Sequence, residues 1–304
     1  MKQKKNPRFR FSGSIDMEII RRQVKRHRRS VLGQWTIRIV VAAMIVTGTY
    51  LVIENQTYTS VATADSHKKD TEDSNQYIAF SDGVIRYSRD GVVFLNKKNK
   101  EKWIQPCQIQ NPIVDVNEDV FAIADVGGNT IMIFQKSGLK GEIETTLPIE
   151  KISVSNQGIV SAILKNESTP QIISYDAVGN ILVEHQVNLN STGYPISLDM
   201  SADGENLMVS YLSTKNGTLK SMVAFYNFGK EGQEKTDNLI YTEDFEQTVV
   251  PDVFYMDAST SVAVGDRSFV IYEGTKSVKK KTEVKLNQEI RSEFHSDRYI
   301  GFIL

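Results

Sequence analysis

The sequence predicts an all-β fold: a β-propeller of four-stranded antiparallel blades, preceded by one transmembrane helix. Three observations predict it. From residue 77 onward, alternating apolar segments of four to six residues are broken by turn residues about every ten positions, the mark of consecutive strands. These segments recur in a longer unit of about 40–50 residues. Ahead of them lies one long apolar run, Ile39 to Ile53, directly behind an arm crowded with Lys and Arg.

Residues 1–30 carry four Lys and seven Arg against Asp16 and Glu18, and flanking charge of that sign is retained on the cytoplasmic side of a membrane. Within this arm Ile20, Val24, His27 and Val31 recur at helical spacing, the pattern of a helix on the inner leaflet that then turns into the membrane. As plain topology charges the same residues need no further role, and RNA binding lacks stacking aromatics beyond Phe9 and Phe11. The fifteen residues from Ile39 fall short of the roughly 20 needed to span a bilayer, but reading back to Val31 completes a span at 31–53. Arg38 then lies near the cytoplasmic end, where its stem reaches the headgroups, and Trp35, Tyr50 and Tyr58 suit the two interfaces. This reads as an uncleaved signal anchor. A cleaved signal peptide is the alternative, with Ala62-Thr63-Ala64 as its site; the long basic arm and the distance from Ile53 to Ala64 count against it.

The whole chain holds 36 basic and 37 acidic residues; 12 and 2 of them fall within residues 1–53, leaving 24 and 35 beyond. A near-neutral protein is thus two oppositely charged pieces, and the acidic one is a poor candidate for nucleic-acid binding. Cys107 is the only cysteine, so no intrachain disulfide and no cysteine metal cluster can form. His67, His185 and His295 stand in no metal-ligand spacing, and the four N-x-S/T sequons at Asn55, Asn166, Asn190 and Asn216 matter only in a eukaryotic secretory route. No metal or cofactor is expected.

Residues 54–76 are polar and aperiodic and read as a stalk. The exported domain, 77–304, follows. Its hairpins at 114–124, 152–163, 198–211, 253–265 and 292–303 share one design: a strand ending in an apolar residue, a polar turn, and a second apolar strand. The last apolar residues before the turns, Val116, Val154, Met200, Met256 and Phe294, are spaced 38, 46, 56 and 38 apart. A third strand and a weaker fourth follow each of the first four hairpins, and 77–107 divides the same way. Inner strands such as VFAIA are apolar because neighbouring blades cover them, while outer strands such as KKKTEVKL face water. A β-sandwich, the alternative, predicts no such period. Five blades are counted, and a sixth stops after its second strand at Leu304, so the ring reads as C-terminally incomplete.

The run from Pro112 to Tyr211, with IADVGGN, TTLPIEKISVSNQGIV, YDAVGNILVE and GYPISLDMSADG, closely resembles a family of unknown function: single-pass bacterial membrane proteins with an extracytoplasmic propeller, known mainly from Gram-positive anaerobes. The resemblance extends from the anchor to the C-terminus. It implies the fold and the topology and no established activity. More distantly the blades resemble WD-repeat and quinoprotein-type propellers, but there is no Gly-His…Trp-Asp pair and only Trp103 stands at a blade end, so quinone binding is not implied.

Asp199-x-Ser201-x-Asp203-Gly204 begins like a calcium loop, yet Ser210 stands where the bidentate Glu is needed, and a tight Asp-Gly hairpin explains the same residues. Val126-Gly127-Gly128-Asn129 joins two strands and has no helix N-terminus behind it to hold a phosphate. No G-x-S-x-G, H-E-x-x-H or P-loop occurs. Asp115, Asp199 and Glu293 each precede an anchor residue by one, which makes them the candidate carboxylates of the channel; shared packing is the competing explanation. No catalytic residue is assigned. The sequence reading is a binding or scaffolding module that meets a protein, peptide or envelope ligand on a propeller face. The alternative is a glycan- or wall-acting envelope hydrolase with its site in the channel.

Overall fold

A computed structural model describes residues 17–55, 75–166, 169–215, 217–246 and 248–304. The arm before Met17, most of the expected stalk, the Ala62–Ala64 site and His67 lie outside the described residues. Two compact units divide the chain, one before and one after residue 70.

In the first unit, α1 runs without a break from Met17 to Glu54. A continuous helix replaces the expected turn between arm and span: no proline interrupts residues 30–35, and one glycine, Gly33, is a weak breaker. Its stretch Lys25–Ile53 is long and apolar enough to cross a membrane, a property that a signal sequence shares. The hydroxyls of Thr36, Thr47 and Thr49 donate back to the carbonyls of Gly33, Ala43 and Ile45, so the helix satisfies its own polar groups. The Arg38 guanidinium lies over Trp35, 5.7 Å from the ring centre.

The second unit contains five four-stranded antiparallel sheets and one two-stranded sheet. Blade 1 consists of β1 (Gln76–Phe80), β2 (Gly83–Ser88), β3 (Gly91–Asn96) and β4 (Glu101–Pro106). Blade 2 is β5 (Pro112–Asn117), β6 (Val120–Asp125), β7 (Thr130–Gln135) and β8 (Gly138–Glu144). Blade 3 is β9 (Ile149–Val154), β10 (Val160–Leu164), β11 (Gln171–Tyr175) and β12 (Ile181–Gln186). Blade 4 is β13 (Tyr194–Met200), β14 (Asn206–Lys215), β15 (Thr218–Asn227) and β16 (Leu239–Phe245). Blade 5 is β17 (Asp252–Tyr255), β18 (Thr260–Val264), β19 (Ser268–Glu273) and β20 (Lys279–Lys285). A partial sixth pairs β21 (Ser292–His295) with β22 (Ile300–Ile303).

The core lies in the seams between blades. The second and third strands of the middle blades are mostly buried, as in β6 and β10, while β12 and β20 alternate or face water. Phe80, Phe94, Phe121 and Phe134 fill the seam between blades 1 and 2, and Ile133, Ile143, Val154 and Ala162 that between blades 2 and 3. Trp103 closes the first seam at its rim, stacked on Phe134 at 5.1 Å while its Nε1 donates to the Lys136 carbonyl. At Gly141 a Cβ would sit 1.8 Å from the Ala177 carbonyl of the next blade, so only glycine lets β8 approach that turn.

The uneven repeat has a physical cause in blade 4. Its β14–β15 hairpin runs ten residues a side, and a short helix, α2 (Lys230–Gln233), with a 3-10 turn (Thr236–Asn238) is inserted before β16. Those additions lengthen the Met200 to Met256 interval.

Candidate functional site

The first strands of blades 2 to 5 lie side by side, and polar side chains at their turn ends, Asp115, Ser153 and Asp199, link each blade to the next. Asp115 on β5 reaches blade 3, where its Oδ2 accepts from the Val154 amide at 2.6 Å. Ser153, beside that amide, donates through Oγ to Asp199 Oδ1 of blade 4 at 2.7 Å and accepts from the Met200 amide at 2.9 Å. The other Asp199 oxygen accepts from the Tyr255 amide of blade 5 at 2.6 Å. One carboxylate thus joins three blades. A parallel contact runs from Ser197 Oγ to Asp252 Oδ1 at 2.8 Å. Two further serines of blade 4 hold Val250, which leads into blade 5: Ser210 donates to its carbonyl and Ser221 accepts from its amide.

The channel is acidic. Burial raises Asp115 above the usual carboxylate range in spite of the Val154 amide. Burial, and then the charge of Asp115, lift Asp199 to about 7. Asp252 is raised by burial, with Glu293 adding to the shift. His295 Nδ1 donates to Glu293 Oε2 at 3.2 Å, and the imidazole stacks on Phe254. Burial pulls the His295 pKa down, but Glu293, Asp199 and Asp252 outweigh it and raise it.

Two of the three sequence candidates therefore meet through Ser153, while Glu293 pairs with His295. Sequence reasoning missed Ser153, Asp252 and His295; the position of Ser153, one before the anchor Val154, was the available signal. His185 stands apart, against Tyr226 and Phe228. The calcium-like stretch is a hairpin: Ser201 Oγ donates to Asp203 Oδ1, Gly204 turns at φ 73°, and Asp199 points to its neighbours across the channel. In the Gly127-Gly128 loop both amides already donate, to the Ile149 and Asp125 carbonyls. Among the described residues no group of three His, Cys, Asp or Glu is placed to hold a metal ion. Cys107 is half-buried, and burial raises its thiol pKa.

The fold is similar to Kuenenia stuttgartiensis hydrazine synthase, with 13% identity, a TM-score of 0.51, and coverage of 77% of this chain and 73% of that one. The Neurospora crassa Pan2 WD40 domain is similar with 13% identity and a TM-score of 0.49, over 73% of this chain and 68% of that one. BamB from Moraxella catarrhalis follows with 11% identity and a TM-score of 0.39, over 72% and 77%. Likeness at these identities speaks to fold alone. No curated protein matches the sequence. The family model described as a family of unknown function, DUF5711, matches residues 54–304, and the chain belongs to that family.

Proposed function

We propose that the protein is a membrane-anchored, extracytoplasmic propeller that acts as a binding or scaffolding module for a protein or envelope ligand. The use made of the channel carboxylates carries this reading: Asp115 and Asp199 are held by amides and a hydroxyl of neighbouring blades, so they serve to tie the ring together. In this reading residues 31–53 are the anchor, the basic arm stays in the cytoplasm, residues 54–76 are the stalk, and the acidic domain stands outside.

A second reading, a glycan- or wall-acting hydrolase, draws on the same pair. A carboxyl lifted to about 7 suits a proton donor near neutrality, and Asp252 and Glu293 stand on the following inner strands. Full-length protein solubilised from membranes and used as bait, with Asp199→Asn beside it, separates the two. The binding reading expects a specific partner retained by both proteins. No specific partner, together with turnover of a wall or sugar substrate that Asp199→Asn abolishes, overturns it.

A further inference from the structure

The seam between blades 3 and 4 differs from the others. Blade 4 alone carries the insertion at Lys230–Asn238, and with β12 it walls two adjoining clefts of about 710 and 450 Å³. His185 lines the larger and stacks on Phe228, which lines the smaller. Asp237 and Asn238 both hold left-handed backbone, φ 55° and 58°, a conformation that Asp and Asn adopt more readily than other non-glycine residues. That turn places Asp237 on the wall of the larger cleft, where its charge acts on His185 and Tyr226. Asp237 makes no hydrogen bond or ion pair with a described residue, and no Lys or Arg lines the cleft. His185 Nε2 is buried without a partner.

The adjoining strand edge is open. β12 ends its sheet, and Ile181 and Leu182 are about half exposed on it. On β20, by contrast, four lysines protect the edge. We propose that this seam takes an extended peptide segment, added along β12, whose apolar side chains rest on Leu182 and whose Lys or Arg enters the larger cleft against Asp237 and the Tyr226 ring. The domain's excess of acidic over basic residues favours such a partner. This rests on the binding reading and names the chemistry of its partner.

The test is fluorescence polarisation with full-length protein in detergent and a labelled hexapeptide alternating Arg with Val, beside its Glu-for-Arg counterpart. The Arg peptide binds and the Glu peptide does not. Asp237→Asn, which keeps a side chain suited to left-handed backbone, weakens binding at least about tenfold at unchanged melting temperature. Leu182→Lys weakens it similarly, and Glu142→Gln, at the exposed edge of blade 2, leaves it unchanged. The inference is overturned by equal binding of both peptides, by an equal loss with Glu142→Gln, or by complete displacement with spermidine, which marks a small-amine site. If the Arg peptide fails while the membrane bait still retains a partner, this seam is wrong and the binding reading stands.

Discussion

Replacing Asp199 with Asn tests the channel ring through its pH dependence. Asp199 has a folded pKa of about 7, against about 3.9 for an unfolded Asp. A pKa raised on folding means that the folded state holds the extra proton between those values. Its stability is complete below the unfolded pKa and falls as pH rises through the folded one. Three units at about 1.4 kcal/mol each set a ceiling of about 4 kcal/mol. For a domain of this size, about 2–4 °C per kcal/mol translates that into roughly 10 °C of melting temperature between pH 4.5 and 8. Asp115, Asp252 and His295 are shifted in the same direction and add to the slope, while His185, lowered by burial, opposes it below its unfolded value of about 6.5. The acids lowered on folding, Asp176 and Asp257 among them, lose their contribution only below about pH 4. Asn keeps one acceptor for the Tyr255 amide and carries no charge. Melting of the full-length protein in detergent, followed from pH 4.5 to 8, therefore shows a falling curve for the native chain. The Asp199→Asn curve is flatter, slightly lower in acid and higher at pH 8. A native curve that rises with pH in this window, or a variant destabilised equally at every pH, refutes the reasoning.

Ser153→Ala leaves the Met200 amide unpaired and removes a donor from Asp199, and it lowers stability by about 2 kcal/mol in denaturant titration. Gly141→Ala drives a Cβ into the Ala177 carbonyl and destabilises by about 2 kcal/mol or more, with the seam between blades 2 and 3 the first to lose protection in hydrogen exchange. Trp103→Ala loses the stack on Phe134 and the bond to Lys136, costing about 3 kcal/mol by thermal melting; Trp103→Phe recovers most of it.

The blades were legible because each hairpin is written locally: an apolar strand, a turn with Asp, Asn or Gly, and a second apolar strand. Their repetition puts Asp115 and Asp199 at equivalent positions, and Trp103 at a blade end. What those carboxylates do was not legible. Ser153 and the Tyr255 amide lie 46 and 56 residues from Asp199, and only the curvature of the ring joins them. Asp252 escaped notice because it stands four residues before Met256, out of phase with the other acids. The insertion beside β16 gave only a longer repeat interval, with no apolar period to mark it as a wall of two clefts. At the other end of the chain, basic charge and an apolar run mark the helix, and the lack of a helix breaker stronger than Gly33 at residues 30–35 was the signal, passed over, that arm and span are one element.

The central claim is that the propeller stands outside the membrane on an uncleaved N-terminal helix. Its most direct test places a single cysteine at the exposed β3–β4 turn, Lys98→Cys with Cys107→Ser, and treats intact cells with a membrane-impermeant maleimide. The account predicts labelling before lysis of an uncleaved chain that resists carbonate extraction from membranes. Protection until lysis, or recovery of a shorter soluble chain that begins after Ala64, contradicts it.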